Sequence, residues 1–325
     1  MTRALVALAC GATVACQAAD SRPSARTETS SGAIRDSAIT LTDDAGREIH
    51  LAGPARRVIS LIPSATETII ALGGTSQIAG RTRYDVAPEV SSLPSVGGGI
   101  DPSTEAVVGL RPDLILAWDN DQRRLVPNRL IALGIPVFTL RTEDTTDVFR
   151  GIKNIGRLIG RDSAAGALAA SIHAQLEDVR RSVEGRTRPR VLYVVFNDPP
   201  MTAGRTTFIG QLIELAGGQS IFADATQLWP TVSMEEIVRR QPDVLVVPTG
   251  EFKTNSIDRF KNRPGWRDLR AVRERRVATV SANLMSRPGP NIGRAARVLR
   301  GSFYPDLARS DDSLDVVRPA SAGKR

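Results

Sequence analysis

Metal binding and catalysis need particular side chains within reach of one another, and this sequence is short of several. Its 325 residues hold two histidines, His50 and His173, and two cysteines, Cys10 and Cys16. A zinc or manganese centre draws several imidazoles and carboxylates onto one ion. His50 falls in an opening strand region and His173 in a long helical run, so no direct metal site is expected. Ser-His-Asp hydrolysis needs a usable His and, in one common form, a Gly-x-Ser-x-Gly elbow, which is absent. Asp119 and Asp121 read as carboxylates of a solvated loop. Gly97-Gly98-Gly99 lacks the Lys-Ser or Lys-Thr that completes a phosphate loop. No catalytic residue and no cofactor is expected.

Both cysteines fall in the first sixteen residues, so the rest of the chain has neither thiol chemistry nor a disulfide. Met1 and Arg3 precede an apolar run, Ala4 to Ala15, which has the length of a secretory signal and is too short to span a bilayer. Thr13-Val14-Ala15-Cys16 resembles a bacterial lipobox, with Thr13 where Leu is usual. The expectation is a signal peptide over 1–16, lipidation of Cys16, a polar tether over 17–37 and a disordered tail over 311–325. Plain cleavage near Cys16, with no lipid, is the alternative.

The net charge of +8 and pI near 10.2 would suit a polyanionic partner. The basic residues are scattered among acids, however, and aromatics make up 4% of the chain, too few for base-stacking platforms. Nucleic acid is not an expected partner.

Two serine-glutamate pairs lead to the architecture. Ser103-Thr104-Glu105 opens STEAVVGLRPDLIL, and Ser233-Met234-Glu235 opens SMEEIVRRQPDVLV. Each reads as a capped amphipathic helix, a Pro-Asp turn and an apolar strand. Upstream of each lies a helical segment ending in Gly-Gly, at Gly73-Gly74 and Gly217-Gly218, where glycine can take the left-handed C-cap conformation. Each half opens with a β-rich run, Val58 to Ile62 and Val191 to Phe196, and reaches a later one, Pro136 to Leu140 and Arg276 to Val280. Strands alternating with helices predict an α/β fold of two similar Rossmann-like lobes with parallel sheets.

Between the halves, Ala165, Leu168, Ile172, Leu176, Val179 and Val183 recur at helical spacing. A helix from Asp162 to Glu184 would be roughly 35 Å long, enough to join two lobes. The expected layout is an N-terminal lobe over 38–160, a linking helix over 161–186 and a C-terminal lobe over 187–310, with little relative motion.

Asp44-Ala45-Gly46-Arg47, ARRVISLIPSATETIIALGG and Ile100-Asp101-Pro102 before STEAVVGLRPDLILAW resemble the class III periplasmic binding proteins. The likeness runs from about residue 40 to 305, and NDPPMTAGRTTFIGQLIELAGGQSIFAD is most similar to cobalamin-binding members. The resemblance implies a monomeric, extracytoplasmic, membrane-anchored lipoprotein that captures a corrinoid between its lobes. It would deliver this ligand to an ABC permease dimer with its ATPase. It implies that Glu105 and Glu235 dock on the permease, although a first-turn Glu also stabilises a helix unaided.

By the same resemblance Pro63, Ser64, Tyr84, Asp85, Trp118, Asp119, Met201, Arg205, Trp229 and Arg287 face the ligand. Trp118 and Trp229, one from each half, would suit a flat apolar ring. Arg81, Arg83, Arg205 and Arg287 are equally readable as exposed charge or salt bridges. Gly97-Gly98-Gly99 stands where some cobalamin binders carry an aromatic wall, which would leave that side bare. Haem, with Tyr84 as axial ligand, and an anionic ferric siderophore held by arginines are the alternatives. An enzyme or a ligand-sensing domain is the reading from another class.

Overall fold

The computed structural model describes residues 38–119, 125–249, 260 and 262–308. The expected signal peptide and tether with Cys16, the expected tail, and Asp121 lie outside the described residues.

A hairpin of β1 (Ile39–Thr42) and β2 (Glu48–Leu51) comes first. Its turn is fixed by the buried Asp43 carboxylate, which accepts from Arg47 Nη2 at 2.7 Å and from Thr139 Oγ1 at 2.8 Å. Burial alone would raise the Asp43 pKa, but the hydrogen bonds from Arg47 and Thr139 together outweigh it and hold the carboxyl below its usual range.

The N-terminal lobe follows as β3 (Val58–Ser60), α1 (Pro63–Ala71), β4 (Ile78–Gly80), α2 (Thr104–Gly109) and β5 (Leu114–Trp118). It continues through α3 (Leu125–Ala132), β6 (Val137–Leu140) and α4 (Thr145–Leu158). Its sheet is parallel, in the order β4-β3-β5-β6. Alternate side chains bury on opposite faces, as the two-residue period of a strand requires. Val58, Leu114, Leu116 and Phe138 join one core, while Ile59, Ile115, Ala117 and Val137 join another. Both faces are dry because crossover helices cover them.

The linking helix α5 (Asp162–Ser182) is 21 residues, about 30 Å at 1.5 Å per residue. Ile172, Leu176 and Val179 bury one side of it in a core shared with Val58 and Leu114 of the first sheet and Val191 and Val244 of the second. The helix is therefore a half-buried spine.

The C-terminal lobe runs through β7 (Arg190–Tyr193), a short hairpin of β8 (Phe196–Asn197) and β9 (Pro200–Met201), α6 (Phe208–Leu215) and β10 (Gln219–Ser220). After these come α7 (Met234–Arg240), β11 (Val244–Thr249), α8 (Arg270–Arg273), β12 (Val277–Ser281), α9 (Ala282–Met285) and α10 (Ile292–Phe303). Its parallel sheet has the order β10-β7-β11-β12, which matches the first lobe strand for strand.

The echo in the sequence is an echo in the backbone. Ser103 caps α2 by accepting from Ala106 N at 3.2 Å, and Ser233 caps α7 by accepting from Glu236 N at 3.1 Å. Each helix is followed by a left-handed residue before proline, Arg111 at φ 47° and Gln241 at φ 42°. The aspartate after each proline then clamps the preceding strand. Asp113 accepts from Arg57 N at 2.9 Å and Asp243 from Arg190 N at 2.8 Å. Gly73 and Gly217, at φ 72° and 84°, take the left-handed helix ends expected of them.

Candidate ligand groove

In both lobes the carboxyl ends of the strands point to one groove of about 800 Å³. Parallel α/β sheets commonly bind ligands there, because loops leaving the strand ends carry side chains that the sheet does not consume. Pro63 and Ser64 follow β3, and Asp119 follows Trp118 at the end of β5. From the other side come Tyr193 at the end of β7, Pro248 late in β11 and Ala282 after β12. A second depression, of about 450 Å³ around His50, Arg56, Asp113 and Pro136, opens at the amino edge of the first sheet, away from these loops.

Of the residues expected to meet a ligand, Pro63, Ser64, Tyr84, Trp118, Asp119, Trp229 and Arg287 line the groove. Trp118 is half-buried, Tyr84 is 53% exposed and Trp229 is 40% exposed, so rings from both lobes face the opening. Asp119 Oδ2 accepts from Arg141 Nη2 at 3.3 Å.

Asp85, Met201 and Arg205 do not line it. Asp85 is buried, and its Oδ2 accepts from Thr82 N at 2.6 Å and Thr82 Oγ1 at 2.7 Å, which ties the loop that presents Tyr84. Met201 bridges to Thr231, and Gly204 N donates to Leu228 O at 2.8 Å. Met201 and the exposed Arg205 thus flank a ribbon that carries Trp229.

Arg81 and Arg83 also lie outside the lining, and Arg83 pairs with Asp101 at 3.1 Å. None of the three glycines lines the groove, and Gly99 packs closely against the Trp118 ring and the Leu61 carbonyl.

Sequence reasoning missed Tyr193 and Phe208, which supply aromatic wall from the C-terminal lobe. Tyr193 ends a strand just as Trp118 does, and that position was its signal. Burial pushes the Tyr193 phenol upward, so it stays protonated and can donate a hydrogen bond. Phe208 opens α6, where its backbone N donates to Glu143 O of the other lobe at 2.7 Å.

Glu105 and Glu235 stand apart from the groove lining. The run 101–107 and the run 231–237 have the same alternation of exposed and half-buried residues, ending on buried Val107 and Ile237. Glu105 and Glu235 are the exposed acids of the two helix starts. The Glu105 backbone N–H and the Ser103 hydroxyl hold the Glu105 carboxyl below its usual range. Glu236 is engaged instead by Arg239 and Arg240, which hold its carboxyl down to about 2. Glu235 remains outward-facing beside it.

Among the described residues no group of three or more His, Cys, Asp and Glu side chains is placed to hold a metal ion. His173, on the linking helix, stacks on Phe149 of α4 with ring centroids 3.8 Å apart. No helix of the described residues is long and apolar enough to cross a membrane.

The sequence profile of the family described as periplasmic binding protein matches residues 58–284, which spans both lobes and the helix between them. The chain belongs to that family. An ABC transporter substrate-binding lipoprotein of Bacillus subtilis is 29% identical over 276 residues, 82% of this chain and 86% of that one. A cobalamin-binding protein of Halobacterium salinarum is 33% identical over 276 residues, 82% of this chain and 74% of that one. The structure of a periplasmic haem-binding protein from Roseiflexus matches with a TM-score of 0.67 at 26% identity, covering 78% of this chain and all of that one. As a member of that family the protein is a substrate-binding component of the kind that serves ABC transporters.

Proposed function

We propose that the groove captures a corrinoid. The observation that carries this reading is the combination of aromatic walls with a described lining that has no excess of positive charge. Tyr84, Trp118, Tyr193, Phe208 and Trp229 line the groove, while its charged residues among those described are Asp119, Glu143 and Arg287. Arg287 is already paired with Glu67 at 2.6 Å. A ferric chelate or other polyanion asks for cations to offset its desolvation, and the described residues of this lining offer none in surplus. A corrin is a broad apolar ring edged by neutral amides, which suits flat apolar walls with scattered polar groups. The likeness to the Halobacterium protein supports the same ligand.

Haem is the second reading, because Tyr84 is exposed on the groove and carries a phenol oxygen able to ligate iron. Purification of the full chain from its own host, followed by an absorption spectrum, separates the two. Corrinoid bands support the proposal. A haem Soret band that is lost in Tyr84→Phe would replace it.

Delivery uses both lobes. Glu105 and Glu235 dock on the two-fold permease dimer, and a diacylglycerol on Cys16 keeps the monomer at the membrane. Cys16→Ser is expected to move the protein from the membrane fraction to the soluble one, and an unchanged distribution would refute the anchor.

A further inference from the structure

Arg287 lines the groove from the C-terminal lobe, but its guanidinium is turned toward the other lobe. Nη1 donates to Glu67 Oε1 at 2.6 Å, and Nη2 donates to the Tyr84 carbonyl at 2.7 Å and to Asn283 Oδ1 at 3.1 Å. Glu67 lies one turn into α1 of the N-terminal lobe, behind the lining. Its second oxygen accepts from Asn291 Nδ2 at 3.3 Å, at the residue that precedes α10. The Arg287 and Glu67 side chains are 10% and 19% exposed, so water screens this pair far less than a surface one. Between the two contacts the backbone presses on α1, and a β-carbon at Gly289 would fall 3.0 Å from Ser64 Cβ.

The other flank of the groove is closed differently. There the lobes meet through backbone, Phe208 N to Glu143 O, and through Gln211 Oε1, which accepts from Thr145 N at 2.9 Å and Thr145 Oγ1 at 2.6 Å. Substitution can therefore release the Glu67 flank without touching the main-chain contact on the opposite one.

We propose that Glu67 is a positioning residue: it straps the lobes through Arg287 and so fixes the groove's width and the stand of the Tyr84 loop. The strap acts on whatever ligand the groove takes, and its effect on cobalamin rests on the corrinoid reading above. With Glu67 in place Arg287 reaches the Tyr84 carbonyl in a set geometry, and the wall that Tyr84 provides is ordered before the ligand arrives. Without it, the largely buried guanidinium loses its counter-charge, the links through Glu67 to Arg287 and Asn291 are lost, and that flank is left to the Arg287 bond to the Tyr84 carbonyl. Preorganisation of this kind acts mainly on how long a ligand stays.

The test places spin labels on the two lobes, at Leu133→Cys and Arg273→Cys, in the full chain with Cys10→Ser and Cys16→Ser. Leu133 and Arg273 are both exposed. In the otherwise unchanged protein one narrow distance distribution is expected. Glu67→Ala and Glu67→Gln should broaden and lengthen it and release cobalamin about tenfold faster with little change in on-rate. Exchange of the pair, Glu67→Arg with Arg287→Glu, should narrow it again. If Glu67→Ala fails to fold by circular dichroism, the near-isosteric Glu67→Gln decides. A distribution unaltered in a folded Glu67 variant overturns the strap. Failure of the parent protein to bind cobalamin would overturn only the ligand reading, because the distance measurement needs no ligand.

Discussion

A β-carbon on Gly99 would lie 2.7 Å from Cζ3 of Trp118 and 2.2 Å from the Leu61 carbonyl oxygen. The main chain is thus the surface against which the groove's N-terminal indole rests, and the missing side chain is what permits it. Gly99→Ala is expected to displace the ring or the loop. Overpacking of this kind costs about 1–3 kcal/mol. Urea denaturation should show that loss, and cobalamin titration should show weaker binding. An unchanged midpoint would mean that the indole and loop relax freely.

The paired glutamates predict a separation of binding from delivery. Glu105→Ala with Glu235→Ala should leave ligand affinity intact and abolish stimulation of the transporter's ATPase in proteoliposomes. Both residues are exposed and neither lines the groove. Equal loss of ligand binding would place them in the frame of the groove instead.

Asp113 and Asp243 predict a defect of the opposite kind. Each fastens the entry of its lobe's first strand to the Pro-Asp turn before the third. Asp113→Ala or Asp243→Ala should cost about 1–3 kcal/mol, the range for a backbone donor left without its charged acceptor. Denaturant midpoints measure this. Ligand affinity of the folded fraction should be unaltered, since both aspartates lie at the amino edge of their sheets.

Acid should reach the folded Asp43 carboxylate later than an ordinary one. Its folded pKa is depressed, so the stability it contributes is present above the unfolded value of about 3.9 and is lost as pH falls through the folded one. Melting temperature should therefore drop between about pH 5 and pH 3 more steeply in the natural protein than in Asp43→Asn. The two curves should converge at the acid end. Parallel curves across that window would contradict the assignment.

What the sequence disclosed was whatever is local. The Ser-x-Glu caps, the Pro-Asp turns and the Gly-Gly helix ends are each fixed within a few residues, so the two lobes and their matching order could be read directly. The linking helix was legible from its apolar period, and it closes at Ser182 instead of Glu184.

The groove was legible by loop but not by side chain. Tyr84 and Asp85 are neighbours, yet one ring points outward while the other's carboxylate turns back on Thr82. Arg287 was visible as a groove arginine, but its partner is 220 positions away, and no spacing rule connects Glu67 with it. Tyr193 could have been found by applying to β7 the strand-end argument that picked out Trp118 on β5.

The central claim is that two like lobes, joined by a half-buried helix and cross-lobe contacts, offer one aromatic groove to a corrinoid. Calorimetric titration of the purified protein with cobalamin tests it most directly. One site per chain is predicted, with a Kd of about nanomolar to low micromolar, or roughly 8 to 12 kcal/mol, and with clear weakening in Trp118→Ala. No heat and no tryptophan quenching at micromolar cobalamin would contradict it.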